Sequence, residues 1–305
     1  MSAVAGHRTL GDLRLPAIGF GAMTITQVPG YDVERGRRTV HAALDAGVRF
    51  FDTADVYGPA GGGDGVNELA LIEALRSRPD CLGDVIVSTK GGHLRYPEND
   101  TWWIDGSHRH LRAACIASSA RLGLDPLPLY FHHRPDPQLP YEESMLALRA
   151  LRDEGLVRRV GVSNVNVEQI GIAQQILGDG LVAVENEYSP GFRSSEPEIR
   201  ECEKRGLAFL SWAPFGGMRQ AKSLGDGSPG LSRFEEVARR RGVSVHRVAL
   251  AWQLHRSPAV MPIPGASRPE SVVDSFAAID LSLDDEELAL LDAGGNARQE
   301  NSRHA

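Results

Sequence analysis

Short apolar runs and stretches of helical spacing alternate along nearly the whole chain. Residues 8–15 read as two short strands about a Gly11-Asp12 turn, a hairpin. Residues 17–23 form an apolar run, and residues 33–46 carry Val33, Val40, Ala43 and Leu44 at helical spacing and stop at Gly47. A β-rich run at 48–51 follows and ends abruptly on Asp52. After a helix at 69–75 comes a buried strand at 84–89, ending on Lys90. The same pairing then recurs. Helix 110–122 precedes strand 127–131, 141–154 precedes 159–162, 167–177 precedes 181–184, 196–205 precedes 208–210, and 245–255 precedes 259–262. A helix at 269–279 and an amphipathic segment at 284–293 lead to a polar tail.

With the run at residue 17 included, eight strand-then-helix units follow one another without a Pro/Gly/Ser linker. Such alternation implies a parallel sheet, and eight units imply closure. The units are too dissimilar and too irregularly spaced for a solenoid. The expectation is an α/β chain with residues 1–305 as one domain. It is a (β/α)8 TIM barrel with an N-terminal β-hairpin and an extra C-terminal helix.

Polar residues fall where such a barrel gathers its chemistry. Asp52, Lys90, His133, Ser163 with Asn164, Glu185 and Trp212 stand at or just past the carboxyl ends of six strands, which share one rim. Tyr57 lies five residues beyond Asp52. Any one of these would ordinarily be a cap or a satisfied ion pair; six strands ending this way point to a site. Composition narrows its partners. The chain has 305 residues and a net charge of −7, with no basic block, which argues against nucleic acid. No apolar run approaches the ~20 residues of a membrane span. The amino terminus lacks the apolar core of a signal peptide. Cys81, Cys115 and Cys202 are widely spaced and odd in number, as expected of reduced thiols in a cytoplasmic protein.

Tyr, Lys, Asp and His together suit proton transfer to a carbonyl. A phenol titrates near pH 10, and a neighbouring ammonium is expected to bring that down toward neutrality. A buried ammonium needs a carboxylate, which Asp52 would supply. A histidine can orient the substrate oxygen. The set contains no reductant, so a cofactor must bring the hydride.

The segments Phe51-Asp52-Thr53-Ala54 with Tyr57-Gly58, Ser88-Thr89-Lys90-Gly91, His132-His133-Arg134-Pro135-Asp136, Gly161-Val162-Ser163-Asn164, Asn186-Glu187-Tyr188-Ser189 and Ile263-Pro264-Gly265 resemble, in order and spacing, the aldo-keto reductase family. The resemblance implies NADPH-dependent reduction of a small aldehyde or ketone through a tetrad, here Asp52, Tyr57, Lys90 and His133. His133 is taken over His132 because the family's histidine directly precedes the Arg/Trp-Pro-Asp segment; His132 is expected in the barrel wall. Ser163 and Asn164 match the pair that holds the nicotinamide amide. Trp212 takes the place of the stacking aromatic, and Pro214, Phe215 and Gly216 resemble the loop over the pyrophosphate. At the adenine end fall Gly265, Arg268, Asp274 and Ser275. Arg268 is the remaining cation for a 2′-phosphate, because the usual Lys and Arg align with Gly265 and Ser271. Ser275 replaces an Asn that often reads the adenine.

Glu185 stands where the family usually has Gln. If ionised, at about 8 Å from the ring and an effective dielectric of about 20, it would favour the oxidised cofactor by roughly 2 kcal/mol. Protonation, or neutralisation by Lys90, would cancel that effect. The Gly-rich run at 60–65 lacks a following Lys-Ser/Thr and is no P-loop; a rim loop is expected. His108 and His110 have metal-like spacing but open a helix, which leaves metal-dependent hydrolysis a weak rival. A nucleotide-binding regulatory subunit with slow turnover is another. Tyr96, Trp102 and Trp103, in the segment after Lys90, are expected to form an apolar substrate wall.

Overall fold

The computed structural model describes residues 6–96, 101–223 and 231–293. β1 (His7–Leu10) and β2 (Leu13–Pro16) pair antiparallel, with Arg8 opposite Leu15. Then come β3 (Phe20–Gly21), α1 (Val33–Ala46), β4 (Phe50–Asp52), α2 (Val66–Arg76), the single turn α3 (Pro79–Leu82) and β5 (Ile86–Gly91). β6 (His93–Arg95) and β7 (Trp102–Ile104) form a second antiparallel pair. They are followed by α4 (His108–Leu122), β8 (Leu129–His132), α5 (Tyr141–Asp153), β9 (Val160–Ser163), α6 (Val167–Leu177) and β10 (Leu181–Glu187). α7 (Glu196–Arg205), β11 (Ala208–Trp212), α8 (Gly217–Ser223), α9 (Ser232–Arg241) and α10 (Val245–Arg256) come next. β12 (Val260–Pro262), α11 (Pro269–Phe276) and α12 (Asp285–Asp292) complete the described chain.

Local chemistry sets many of these boundaries. Asp32 caps α1 by accepting from the Arg35 N–H, and Gly47, at φ 101°, ends it. Asn166 with Gln169, and Asp284 with Glu287, form capping boxes at the starts of α6 and α12.

Eight parallel strands lie in the order β3-β4-β5-β8-β9-β10-β11-β12. The ends meet: Gly19 N–H donates to the Pro262 carbonyl at 2.9 Å, and Gly21 N–H to the Pro264 carbonyl at 3.1 Å. A Cβ on Gly21 would stand 2.8 Å from the Ile263 carbonyl oxygen, so closure here requires glycine.

Alternation along the strands creates two cores. Phe50, Leu129, Phe131, Ala208, Leu210 and Met261 fill the barrel interior, joined by Leu10 and Leu15 of the hairpin, which plugs the amino-terminal end. Phe51, Tyr130, Val162, Phe209 and Val260 face outward onto the helices. The strand pattern and both terminal additions agree with the sequence. Four elements do not appear in that pattern: the single turn α3, the β6–β7 hairpin, α8 and α9. α9 buries only Phe234, Val237 and Ala238 among charged neighbours, too thin a stripe to stand out. No helix among the described residues is long and apolar enough to cross a membrane.

Candidate active site

The alternation that builds the core also aims the polar residues. Ser88 and Lys90 on β5, and His133 just past β8, share parity with interior positions, whereas Thr89 and His132 point outward. Thr89 donates to Glu68 on α2, and the His132 ring lies 6.3 Å from that of Tyr141 on α5, in the barrel wall. Period-two geometry therefore selects His133 over His132 independently of motif.

Lys90 is fully buried and ion-paired with Asp52, and its Nζ donates to the Thr53 carbonyl at 3.0 Å. Ser88 Oγ donates to the other oxygen of Asp52 at 2.7 Å. The loop carrying Tyr57 is fixed by Asn67 of α2. Its side chain accepts from the Thr53 hydroxyl and donates to the Ala22 carbonyl, and its N–H donates to the Tyr57 carbonyl. Tyr57 is thereby held half-buried, with Lys90 Nζ 5.5 Å from its ring centroid and the His133 ring edge-on at 5.7 Å. The four tetrad positions converge on one rim.

The electrostatics depart from expectation in one respect. Burial raises the Tyr57 phenol above its ordinary value, and the charges of Asp52 and Glu185 add to this; Lys90 offsets only part of it. The ammonium therefore does not bring the phenol toward neutrality: two carboxyl groups share that cation. Burial would lower the Lys90 pKa, but Asp52 and Glu185 outweigh it and keep the ammonium charged. Burial depresses His133 well below its usual value, with Lys90 adding, so the imidazole is neutral.

Glu185 is buried, with Oε1 3.3 Å from Lys90 Nζ. Burial, reinforced by Asp52, pushes its pKa up to about 8 against the pull of Lys90. A permanently ionised Glu185 at neutral pH is thus not what the structure supports. Ser163 Oγ donates to the Glu185 carbonyl at 2.7 Å, and Asn164, in the left-handed region at φ 60°, donates from Nδ2 to the His133 carbonyl at 3.0 Å. These contacts lace β9, β10 and the end of β8 into one surface.

That surface, the tetrad's Asp52, Tyr57 and His133, and Trp212 line a single cavity of about 530 Å³. Pro214, Phe215 and Gly265 line it too. Gly217 takes the lining position next to Gly216 in a turn where both glycines have positive φ. Two buried polar atoms on this side, Glu185 Oε2 and Trp212 Nε1, have no partner. A ligand with an amide end would satisfy such groups, so the residues present fit a nicotinamide. Five sequence candidates lie outside the cavity lining: Lys90, which is fully buried, Gly216, Arg268, Asp274 and Ser275. Arg268 is exposed at the N-cap position of α11, and its side chain makes no capping hydrogen bond. Asp274 bonds to Ser244 and, at 2.7 Å, to Arg247. Ser275 is buried beside Pro264 and Val272.

The β6–β7 hairpin brings in His93, which the sequence did not single out, together with Trp102. The His93 ring lies 5.0 Å from that of His133 and 4.8 Å from that of Trp102, and both His93 and Trp102 line the cavity. Burial lowers the His93 pKa to about 4, with Arg134 adding. Tyr96 and Trp103 stack on each other at 3.8 Å but do not line the cavity, so Trp102 alone of the three expected aromatics forms its wall. His108 and His110 do not line it either, and no group of three or more potential metal ligands exists among the described residues.

The model of the Aldo/keto reductase family matches residues 17–295. An uncharacterized oxidoreductase of Schizosaccharomyces pombe is 33% identical over 98% of this chain and 94% of its own. An aldo-keto reductase of Gibberella moniliformis is 29% identical, covering 91% and 89%. Among solved structures, the glycerol dehydrogenase of Gluconobacter oxydans superposes with a TM-score of 0.79 at 27% identity, covering 96% of this chain and 95% of that one. An aldo-keto reductase of Bombyx mori, in complex with NADP, shares the fold at a TM-score of 0.76 and 24% identity, covering 95% and 93%.

Proposed function

The chain belongs to the aldo-keto reductase family and is an oxidoreductase, and we propose that it reduces a small aldehyde or ketone with NADPH, using Tyr57 as general acid. The observation that carries this is the buried Lys90–Asp52 pair set beneath Tyr57, with a neutral His133 at the same cavity wall.

NADPH, when bound, supplies the hydride. Ser163, Asn164 and Glu185 would hold its carboxamide and Trp212 its ring face. The turn at 214–217 would cover the pyrophosphate, and Gly265 leaves space where a side chain would intrude. Arg268 would read the 2′-phosphate. Asp274 would act by holding Arg247, and Ser275 by packing the adenine end. His133, neutral, donates an N–H to the carbonyl oxygen and orients it. Tyr57 keeps its proton until that oxygen becomes basic, then releases it. Lys90, held charged by Asp52, offsets the phenolate that forms. Electrostatic support of this kind acts where the charge develops, in the transition state.

The test is loss of NADPH absorbance across a panel of aldehydes and ketones, with Tyr57→Phe as the control. Tight NADPH binding without oxidation by any carbonyl would overturn the proposal in favour of a regulatory nucleotide-binding role.

A further inference from the structure

We propose that the substrate carries an anionic oxygen, a carboxylate or an ionised phenol, bound by the guanidinium of Arg134 while Tyr57 and His133 hold its carbonyl. This rests on the carbonyl-reduction reading and names the substrate class for it.

Arg134 directly follows His133 and lines the cavity with Tyr57, His93 and Trp102. It is half-buried, yet no hydrogen bond or ion pair engages it among the described residues. Other partly buried arginines are satisfied: Arg121 pairs with Glu68, Arg247 with Asp274, and Arg256 with Asp292 and Glu196. Burial lowers the Arg134 pKa, opposed by Tyr57 and Glu187. A guanidinium stripped of part of its water, with its fork of donors unpaired, is a receptor without its ligand.

The surrounding charges favour an anion. Arg134 is the only cation among the cavity's described lining residues. The two acids that line it are quenched, Asp52 by Lys90 and Glu185 by burial that keeps its proton. His93 and His133 are neutral. Within that lining an entering anion therefore meets one positive charge and no uncompensated negative one. The His93–Trp102 wall beside it suits a flat apolar body.

The experiment compares para-carboxybenzaldehyde with para-nitrobenzaldehyde in wild type and Arg134→Met. A hydroxy-nitrobenzaldehyde ionised at neutral pH, compared with its methyl ether, forms the phenolate arm. Intrinsic aldehyde reactivity cancels when each pair is compared between the two proteins. The expected result is that Arg134→Met lowers kcat/KM for an anionic member by about ten- to a hundredfold more than for its neutral partner, the range of a charge-assisted hydrogen bond. The arm that shows this difference identifies the anion. Arg134→Lys should recover part of it, because charge returns without the fork. NADPH affinity reports whether each variant is folded, and Arg134→Gln replaces the Met variant if that one fails. Equal losses for charged and neutral aldehydes, or none, overturn the inference. If wild type reduces no aldehyde, the carbonyl-reduction reading has failed instead. Benzoate binding, read by tryptophan fluorescence, then decides the matter without turnover: binding equal in wild type and Arg134→Met overturns the role of Arg134.

Discussion

Lys90 Nζ lies 3.3 Å from Glu185 Oε1 while it is ion-paired with Asp52, so one buried ammonium serves two buried carboxyl groups. Three charges of this kind cannot all be well compensated, and the proton retained on Glu185 relieves the excess. A protonated carboxyl can both donate and accept, as the amide that usually stands there does, although with one donor hydrogen in place of two. The departure from Gln to Glu is therefore chemically conservative below about pH 8 and ceases to be so above it.

The first prediction follows. Rising pH ionises Glu185 through about 8 and sets a negative charge beside the nicotinamide site. The affinity ratio of NADP+ to NADPH should increase across that range in wild type and stay flat in Glu185→Gln. At neutral pH the two proteins should give similar ratios. Fluorescence titrations with both cofactors at several pH values check this; a flat wild-type profile would sink it. Linkage gives a second readout with a definite sign. The folded state keeps the Glu185 proton up to about 8, whereas the unfolded chain loses it near the ordinary value of 4.5. Over that window the unfolded state binds fewer protons, so the stability contribution present at low pH is lost as pH rises. Urea unfolding should accordingly show Glu185→Gln gaining on wild type between about pH 4.5 and 8.

Tyr57→Phe should lower kcat severely while leaving NADPH affinity nearly unchanged, because the phenol acts mainly in the transition state. Burial raises the phenol pKa, so the acid form persists into alkaline solution and an inflection near pH 8 should not belong to Tyr57. Steady-state kinetics with a cofactor titration test both points. Near-wild-type turnover in the Phe variant removes Tyr57 from the mechanism.

Arg268→Ala should weaken NADPH by roughly 1.5–3 kcal/mol, the range for hydrogen bonds to charged groups, with little effect on NADH. The side chain is exposed at the start of α11 and free to reach a phosphate. Dissociation constants for the two cofactors decide the matter, and equal losses would make the residue structural.

Gly161→Ala should destabilise the barrel by about 1–3 kcal/mol, the usual cost of overpacking. A Cβ at Gly161 would stand 2.2 Å from the Phe131 ring, and that ring lies 5.8 Å from Lys90 Nζ on its other side. Thermal unfolding should show the loss, and kcat should fall with it as Phe131 is driven toward Lys90. An unshifted melting temperature would show that the interior has slack at this layer.

The sequence by itself determined the barrel and both terminal additions, and it placed Asp52, Tyr57, Lys90 and His133 at or just past strand ends that share one rim. Each of these depends on local pattern: strands read as short apolar or alternating runs, and helices must present one apolar stripe. Period two even separates His133 from His132, since Leu129 and Phe131 fix the parity. Tertiary structure alone decided the rest. Alternation says that Asp52, Lys90 and Glu185 reach one rim, but not that a single ammonium lies between both acids. The raised phenol of Tyr57 and the retained proton of Glu185 follow from that crowding in a dry interior, where burial outweighs the one favourable charge. The β6–β7 hairpin escaped notice because its three-residue strands, unlike the equally short but buried β4 and β12, lie mostly outside the core. Its packing brings His93 and Trp102 against the site. Arg134 was visible as part of a motif; that it faces the cavity without a partner is a property of everything around it, which no local pattern records.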